Sequence, residues 1–169
     1  MKSADAQRLG KPARLLALLA QAGQFVAVIA MVVMTVIIGW QIFGRFVLND
    51  TPKWSEQLAG IIMVYLMLIG GAVAVWENRH IALDVLLNAL APGLQRLLRI
   101  VIYALIAVFG AMMVFYGVEM AGIVEAWTIP TLGVSKSFNY WAFPVAGVLI
   151  AVFAIAYVVI LVRGDGSDA

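Results

Sequence analysis

The apolar positions of this 169-residue chain are gathered into four long runs. Charged residues are absent from Leu15 to Gly44, Gln57 to Trp76, Ile100 to Val118 and Ser137 to Val162. A helix of about 20 apolar residues, rising about 1.5 Å per residue, crosses the roughly 30 Å hydrocarbon core of a bilayer, so each run is long enough to span it. A membrane β-barrel would alternate apolar and polar residues in strands of about ten, whereas Val26 to Ile38 and Val145 to Val162 carry apolar residues on every face. The pattern therefore predicts an all-α integral membrane protein with four transmembrane helices, at about 24–43, 54–76, 97–122 and 140–162, in one membrane domain covering 1–169.

Two mixed segments read as interfacial amphipathic helices. Over residues 8–22, Arg8, Lys11 and Arg14 precede Leu15, Leu16, Leu18 and Leu19, which suits a basic segment lying on the inner leaflet before the chain turns into the membrane near Gly23. A cleaved signal peptide fits less well, because the apolar stretch from Leu15 to Ala20 is short and hydrophobicity resumes at once. Over about 79–91, Ile81, Leu83, Val85 and Leu90 are interleaved with Arg79, His80, Asp84 and Asn88, and Pro92-Gly93 breaks the run. Between the first two spans, Asn49, Asp50, Thr51 and Pro52 form a turn leading into a helix, with Pro52 in its first turn and Asp50 or Thr51 as cap. The stretch Ile123 to Asn139 is apolar for a loop and is expected to lie against the membrane or a protein partner. Pro144 is expected in the first turn of the fourth span.

Composition and charge narrow the function. Hydrophobic residues make up 64% of the chain and charged residues 12%, and no piece outside the four runs approaches the roughly 40 residues of a self-sufficient fold. With the N-terminus in the cytoplasm, inner segments hold eight Lys and Arg and outer segments three, so both termini are expected to be cytoplasmic. Membrane lipid is an expected partner and nucleic acid is not. No cysteine is present, which excludes disulfides, thiolate metal sites and cysteine nucleophiles.

Ionisable groups at mid-span mark transport pathways, because they are costly to keep there without a role. The predicted spans hold none; Arg45, Glu56, Glu77, Arg99 and Glu119 stand at or within about a turn of a predicted end. No catalytic residue, metal site or cofactor is expected. His80 is the single histidine, too few for a bis-histidine haem, and with Asp84 and Glu77 it makes an incomplete metal site. Small residues spaced by four (Gly70 and Ala74, Gly117 and Ala121, Gly147 and Ala151) suit close helix packing, as does the face Gln24, Ala27, Met31, Thr35 and Gly39; either internal packing or another membrane subunit could use them. Trp54, Trp76, Trp127, Trp141, Tyr140 and Tyr157 fall where an aromatic belt would lie. Arg45, Trp54 and Glu56 suggest an outer-face cluster at the first hairpin.

From Gly44 to Leu86 the chain resembles the small membrane subunit, DctQ type, of tripartite ATP-independent periplasmic (TRAP) transporters. The resembling residues are Arg45 at the end of the first span, Asn49 and Pro52 in the loop, Trp54 and Glu56 opening the second span, Gly70 and Gly71 within it, and His80, Ile81 and Asp84 beyond it. Trp141, Pro144 and Gly147 extend the likeness, while Gln57 stands where the family often has a second acidic residue. The resemblance implies a scaffold rather than an enzyme. Its partners would be a large permease subunit, which carries the substrate and sodium sites, and a periplasmic solute-binding protein that captures an organic acid such as a dicarboxylate or sugar acid. Arg45, Trp54 and Glu56 would shape the outer hairpin, and His80 and Asp84 would anchor the inner helix. A self-contained homo-oligomeric transporter is the other reading. It needs a membrane-embedded carboxylate, and Glu119 could serve only if the third helix runs on to Glu125.

Overall fold

The computed structural model describes residues 11–77 and 92–162. Four helices dominate: α1 (Lys11–Phe46), α2 (Lys53–Trp76), α3 (Pro92–Ile123) and α4 (Ser137–Val162). All four are long and apolar enough to cross a membrane. α1 packs on α2, α2 on α4, and α4 on α3, so two sequential hairpins are joined along the seam between α2 and α4. The end bearing the short α1–α2 loop is called the loop end below, and the opposite one the terminal end.

α1 departs most from expectation. It runs unbroken through Gly23, where a change of direction was expected. A Cβ at Gly23 would stand 3.0 Å from Val73 Cγ2 and 3.5 Å from Ile69 Cγ2, so this glycine brings α1 close to α2 instead of turning the chain. Leu16 and Ala17, from the stretch expected on the membrane surface, pack against the buried cluster that contains Ala20, Val75 and Trp76. That contact keeps the early turns in line with the rest of the helix. The other expected interfacial helix, at 79–91, lies outside the described residues.

The α1–α2 loop is built by the backbone. Asn49 takes a left-handed conformation, φ 53°, which asparagine tolerates better than most side chains. The Asp50 amide donates to the Gly44 carbonyl at 3.1 Å. A Cβ on Gly44 would meet the Asp50 carbonyl oxygen at 2.9 Å and Pro52 Cδ at 3.1 Å. Neither Asp50 nor Thr51 caps α2; the cap position is Pro52, without a side-chain hydrogen bond. The fully buried Ser55 donates both its amide (3.2 Å) and its hydroxyl (2.6 Å) to the Pro52 carbonyl.

Two further starts lie earlier than expected. α3 opens at Pro92, a favoured first position because the missing N–H would be unpaired there in any case. Arg99 is thus about two turns into α3 rather than one. α4 opens at Ser137, which places Pro144 past the first turn and inside the helix. Its ring is accommodated by Gly117 of α3, where a Cβ would come within 2.6 Å of Pro144 Cδ. The apolar connection between α3 and α4 contains a small antiparallel ribbon, β1 (Thr128–Ile129) and β2 (Val134–Ser135), paired Thr128 to Ser135 and Ile129 to Val134. Gly133, with φ 66°, supplies the left-handed turn residue, and Lys136 Nζ lies 5.5 Å from the Trp127 ring centroid.

The core sits toward the terminal end, where Trp76, Tyr103, Phe153, Tyr157 and Leu161 cluster with Ala20. Tyr103 and Tyr157 stack at 4.7 Å between centroids, and Trp76 meets Phe153 at 5.3 Å. Trp76 and Tyr157 are therefore core residues and not members of an exposed belt, in contrast to Trp54, Trp127 and Trp141. The tightest contact joins α3 to α4. A Cβ on Gly147 would lie 2.7 Å from the Gly110 carbonyl oxygen, and one on Gly110 would lie 2.9 Å from both the Ala151 nitrogen and the Gly147 oxygen. Gly147→Val should lower the thermal stability of the purified chain in detergent, by about 1–3 kcal/mol, the usual cost of overpacking. Gly71→Ala, where an added Cβ meets nothing within 4 Å, should raise it by up to about 1 kcal/mol. Equal melting behaviour of the two variants would contradict the α3–α4 contact.

Candidate functional site

The residues singled out in the sequence divide among three places. Arg45, Asn49, Pro52, Trp54 and Glu56 gather at the loop end of the first hairpin, on the last turn of α1, the loop and the first turn of α2. Gly70 and Gly71 lie in the terminal half of α2, half-buried and exposed respectively, with open space around both. His80 and Asp84 lie outside the described residues.

The tight loop holds Asn49 and Pro52 between two helix ends but does not join the three chemically distinctive side chains. Arg45 lies over its neighbour Phe46, 5.8 Å from the ring centroid. Trp54 is 41% exposed and Glu56 is exposed on the first turn of α2. Among the described residues, no hydrogen bond or ion pair links Arg45, Trp54 and Glu56. The arrangement is an exposed surface on which Arg45, Glu56 and the Trp54 indole stand with the exposed Asp50 and Lys53, able to contact a partner or the headgroup layer.

Polar cross-links that the sequence did not disclose tie the helices together. Arg96, on the first turns of α3, donates from Nε (3.0 Å) and Nη2 (2.6 Å) to the Leu161 carbonyl and from Nη2 to the Val162 carbonyl (3.1 Å). A guanidinium so placed satisfies the last carbonyls of α4 and opposes the negative end of its dipole. Tyr157 Oη donates to the Trp76 carbonyl at 2.9 Å, doing the same for the end of α2. Tyr65 Oη donates to the Phe138 carbonyl at 2.8 Å, across the α2–α4 seam. For the last carbonyls of α2 and α4 the available signal was their need for donors; which distant side chain would answer it depended on the helix pairing.

The residues compared across species lie on this same framework. The family described as tripartite ATP-independent periplasmic transporters, DctQ component, matches residues 34–164, from the middle of α1 past the end of α4. A sialic acid TRAP transporter small permease protein, SiaQ, of Vibrio cholerae is 30% identical over 129 residues, which are 75% of this chain and 73% of that one.

The chain belongs to the DctQ family.

It is a TRAP transporter small permease subunit, a multi-pass protein of the bacterial inner membrane, and its family consists of transport components, not enzymes. A putative TRAP transporter small permease protein of Haemophilus influenzae is 19% identical over 125 residues, 74% of this chain and 76% of that one. The sialic acid TRAP transporter permease protein SiaT of Haemophilus influenzae is 26% identical over 110 residues, 65% of this chain but 18% of SiaT. A stretch like this small subunit is thus found inside a much longer permease chain, which points to a large permease partner. Within the subunit, Arg96→Ala should lower thermal stability by about 1–2 kcal/mol, since it strips charged donors from two helix-end carbonyls. Arg96→Lys should recover part of that loss. A melting curve of Arg96→Ala in detergent that overlays the parent would contradict the bonds to Leu161 and Val162.

Proposed function

We propose that this subunit braces a large permease subunit during sodium-coupled, binding-protein-dependent uptake of an organic acid, and does not itself conduct the substrate. The observation that carries the reading is the placement of charge. Among the described residues, every charged group on α1–α4 stands within about two turns of a helix end, leaving no ionisable group at mid-span to bind an ion or a carboxylate. α3 ends at Ile123, so Glu119 lies four residues, about 6 Å, from its end. This position supports the bracing role over a self-contained transporter, which would depend on a carboxylate embedded in the span.

Several finer features belong to the same proposal. The excess of Lys and Arg on the terminal segments supports cytoplasmic termini. The loop end, with Arg45, Trp54 and Glu56, would then face the periplasm, where a solute-binding protein docks on the assembled complex. His80 and Asp84 would anchor the segment between α2 and α3 on the cytoplasmic side. The sialic acid relatives favour a sugar acid over a dicarboxylate as the transported class.

Proteoliposomes carrying the small and large subunits should take up substrate only when the binding protein and a sodium gradient are both supplied; this chain alone should show no flux. Substrate-driven ion flux by this chain alone would sink the bracing role. Trp54→Ala and Glu56→Ala should leave the stability of the isolated chain, read from its melting curve, within the small range usual for surface substitutions, about 0.5 kcal/mol. Both should reduce recovery of the large subunit or the rate of uptake. Unchanged assembly and uptake would remove the loop end from the working surface.

A further inference from the structure

We propose that the large permease subunit seats its membrane-spanning helices on one side of the α1–α2 hairpin, the side formed by Met31, Thr35 and Gly39 of α1 with Gly60, Met63 and Met67 of α2. The proposal rests on the bracing role above and names the surface that performs it.

The glycines supply the first argument. Gly23, Gly110, Gly117 and Gly147 lie in helix interiors, and at each a Cβ would come within 3.0 Å of a neighbouring helix, so internal packing accounts for them. Gly39, Gly60, Gly70 and Gly71 also lie in helix interiors, but a Cβ at any of them would meet nothing within 4 Å. An interior glycine costs a helix roughly 0.5–1 kcal/mol relative to alanine, and in these four no close contact among the described residues offsets it.

Helix geometry sets these residues on one surface. Gly23 lies against Val73, and Gly44 beside Pro52, so the antiparallel pair keeps one register between those points, in which Met31 lies within about one turn of Met63 and Thr35 about one residue from level with Gly60. Counted from Gly23 on α1, Met31, Thr35 and Gly39 lie about 80–160° round the helix, and counted from Val73 on α2, Met63, Met67 and Gly60 lie about 80–140° round in the matching sense. For antiparallel helices facing one another, those turns lead to the same side of the pair. α4 takes the opposite side of α2, where Tyr65 bonds Phe138 and Trp76 meets Phe153. All six residues of the proposed face are exposed, and its one hydroxyl, on Thr35, is already bonded to the Met31 carbonyl at 2.8 Å.

The occupant follows from two contrasts. The exposed side of α3 carries Leu105, Val108, Phe109, Met112 and Phe115, the bulky cover that lipid chains accept, whereas the hairpin face carries glycines, which admit a second backbone, and the methionines beside them have flexible thioethers that mould to it. Independently, the match to 18% of SiaT places a comparable unit within one long permease chain. A unit built into such a chain lies beside the remainder of it in the same membrane, so the face meets apolar spanning helices and not a soluble partner.

The test uses the full chain co-expressed with its large permease subunit. A photo-crosslinking phenylalanine analogue replaces Met31, Met63 or Met67 in turn, with Leu105 and Met112 on α3 as controls. Adducts to the large subunit should form from the three hairpin positions and not from the controls. Gly60→Leu should cut co-purification of the large subunit at least ten-fold, with Ala104→Leu on the exposed side of α3 leaving it unchanged. Adducts from the α3 positions alone, or intact co-purification with no hairpin adducts, would overturn the face while leaving the bracing role standing. Adducts between two small subunits from the hairpin positions would overturn it in favour of a second copy. Absence of co-purification from the parent chain as well would overturn the bracing role itself. If Gly60→Leu fails to fold, the methionine positions still decide the question.

Discussion

The architecture depends on how closely α3 and α4 approach. Lipid tails are as apolar as the helices, so association within the membrane gains little from the hydrophobic effect and relies on dispersion at close range. That attraction decays steeply with separation, and a gap of even 1 Å forfeits much of it. Gly110 against Gly147 and Ala151, and Gly117 against Pro144, bring backbone onto backbone. α4, held in this way, offers Phe153 and Tyr157 to Trp76, and α2 in turn receives α1 through Gly23.

Superimposed on this packing is a set of directed bonds. Tyr65 reaches a carbonyl of α4 at the loop end, while Tyr157 and Arg96 reach the last carbonyls of α2 and α4 at the terminal end. The last carbonyls of a helix have no partner within it, and away from water they need one from elsewhere. The Tyr157 phenol and the Arg96 guanidinium meet that need, and because all of these bonds, that of Tyr65 included, cross between helices they also limit sliding of one span past another. Dispersion sets how near the helices lie; the bonds set their register.

The spans were legible because the cost of burying charge acts residue by residue: four uncharged runs became four helices, and α2 and α4 end at the expected Trp76 and Val162. The course of α1 was less so. Arg8, Lys11 and Arg14 followed by leucines describe a surface helix as well as they describe the start of a long straight one, and Gly23 suits a turn as well as a close contact. Only the position of Val73 decides between them. Likewise Trp76 and Tyr157 have the composition of a belt, and their burial depends on Tyr103 and Phe153 arriving from other helices. Of the candidate site, the grouping of Arg45, Trp54 and Glu56 at one loop could be read from spacing, whereas their lack of mutual bonds could not. Thr128-Ile-Pro-Thr-Leu-Gly-Val-Ser135, with β-branched residues around proline and glycine, did carry a hairpin signal that its apolar character obscured.

The unequal lengths of the first hairpin have a consequence for the surrounding bilayer. At about 1.5 Å per residue, the 36 residues of α1 extend about 54 Å and the 24 of α2 about 36 Å. No single membrane thickness suits both: hydrocarbon that matches the shorter helix leaves apolar turns of the longer one to be taken up by tilt, by local thickening or by cover from another protein, each at a modest cost per ångström. The hairpin is therefore a built-in source of hydrophobic mismatch, concentrated along α1 at the edge of the subunit, and bilayer deformation there favours neighbours that relieve it.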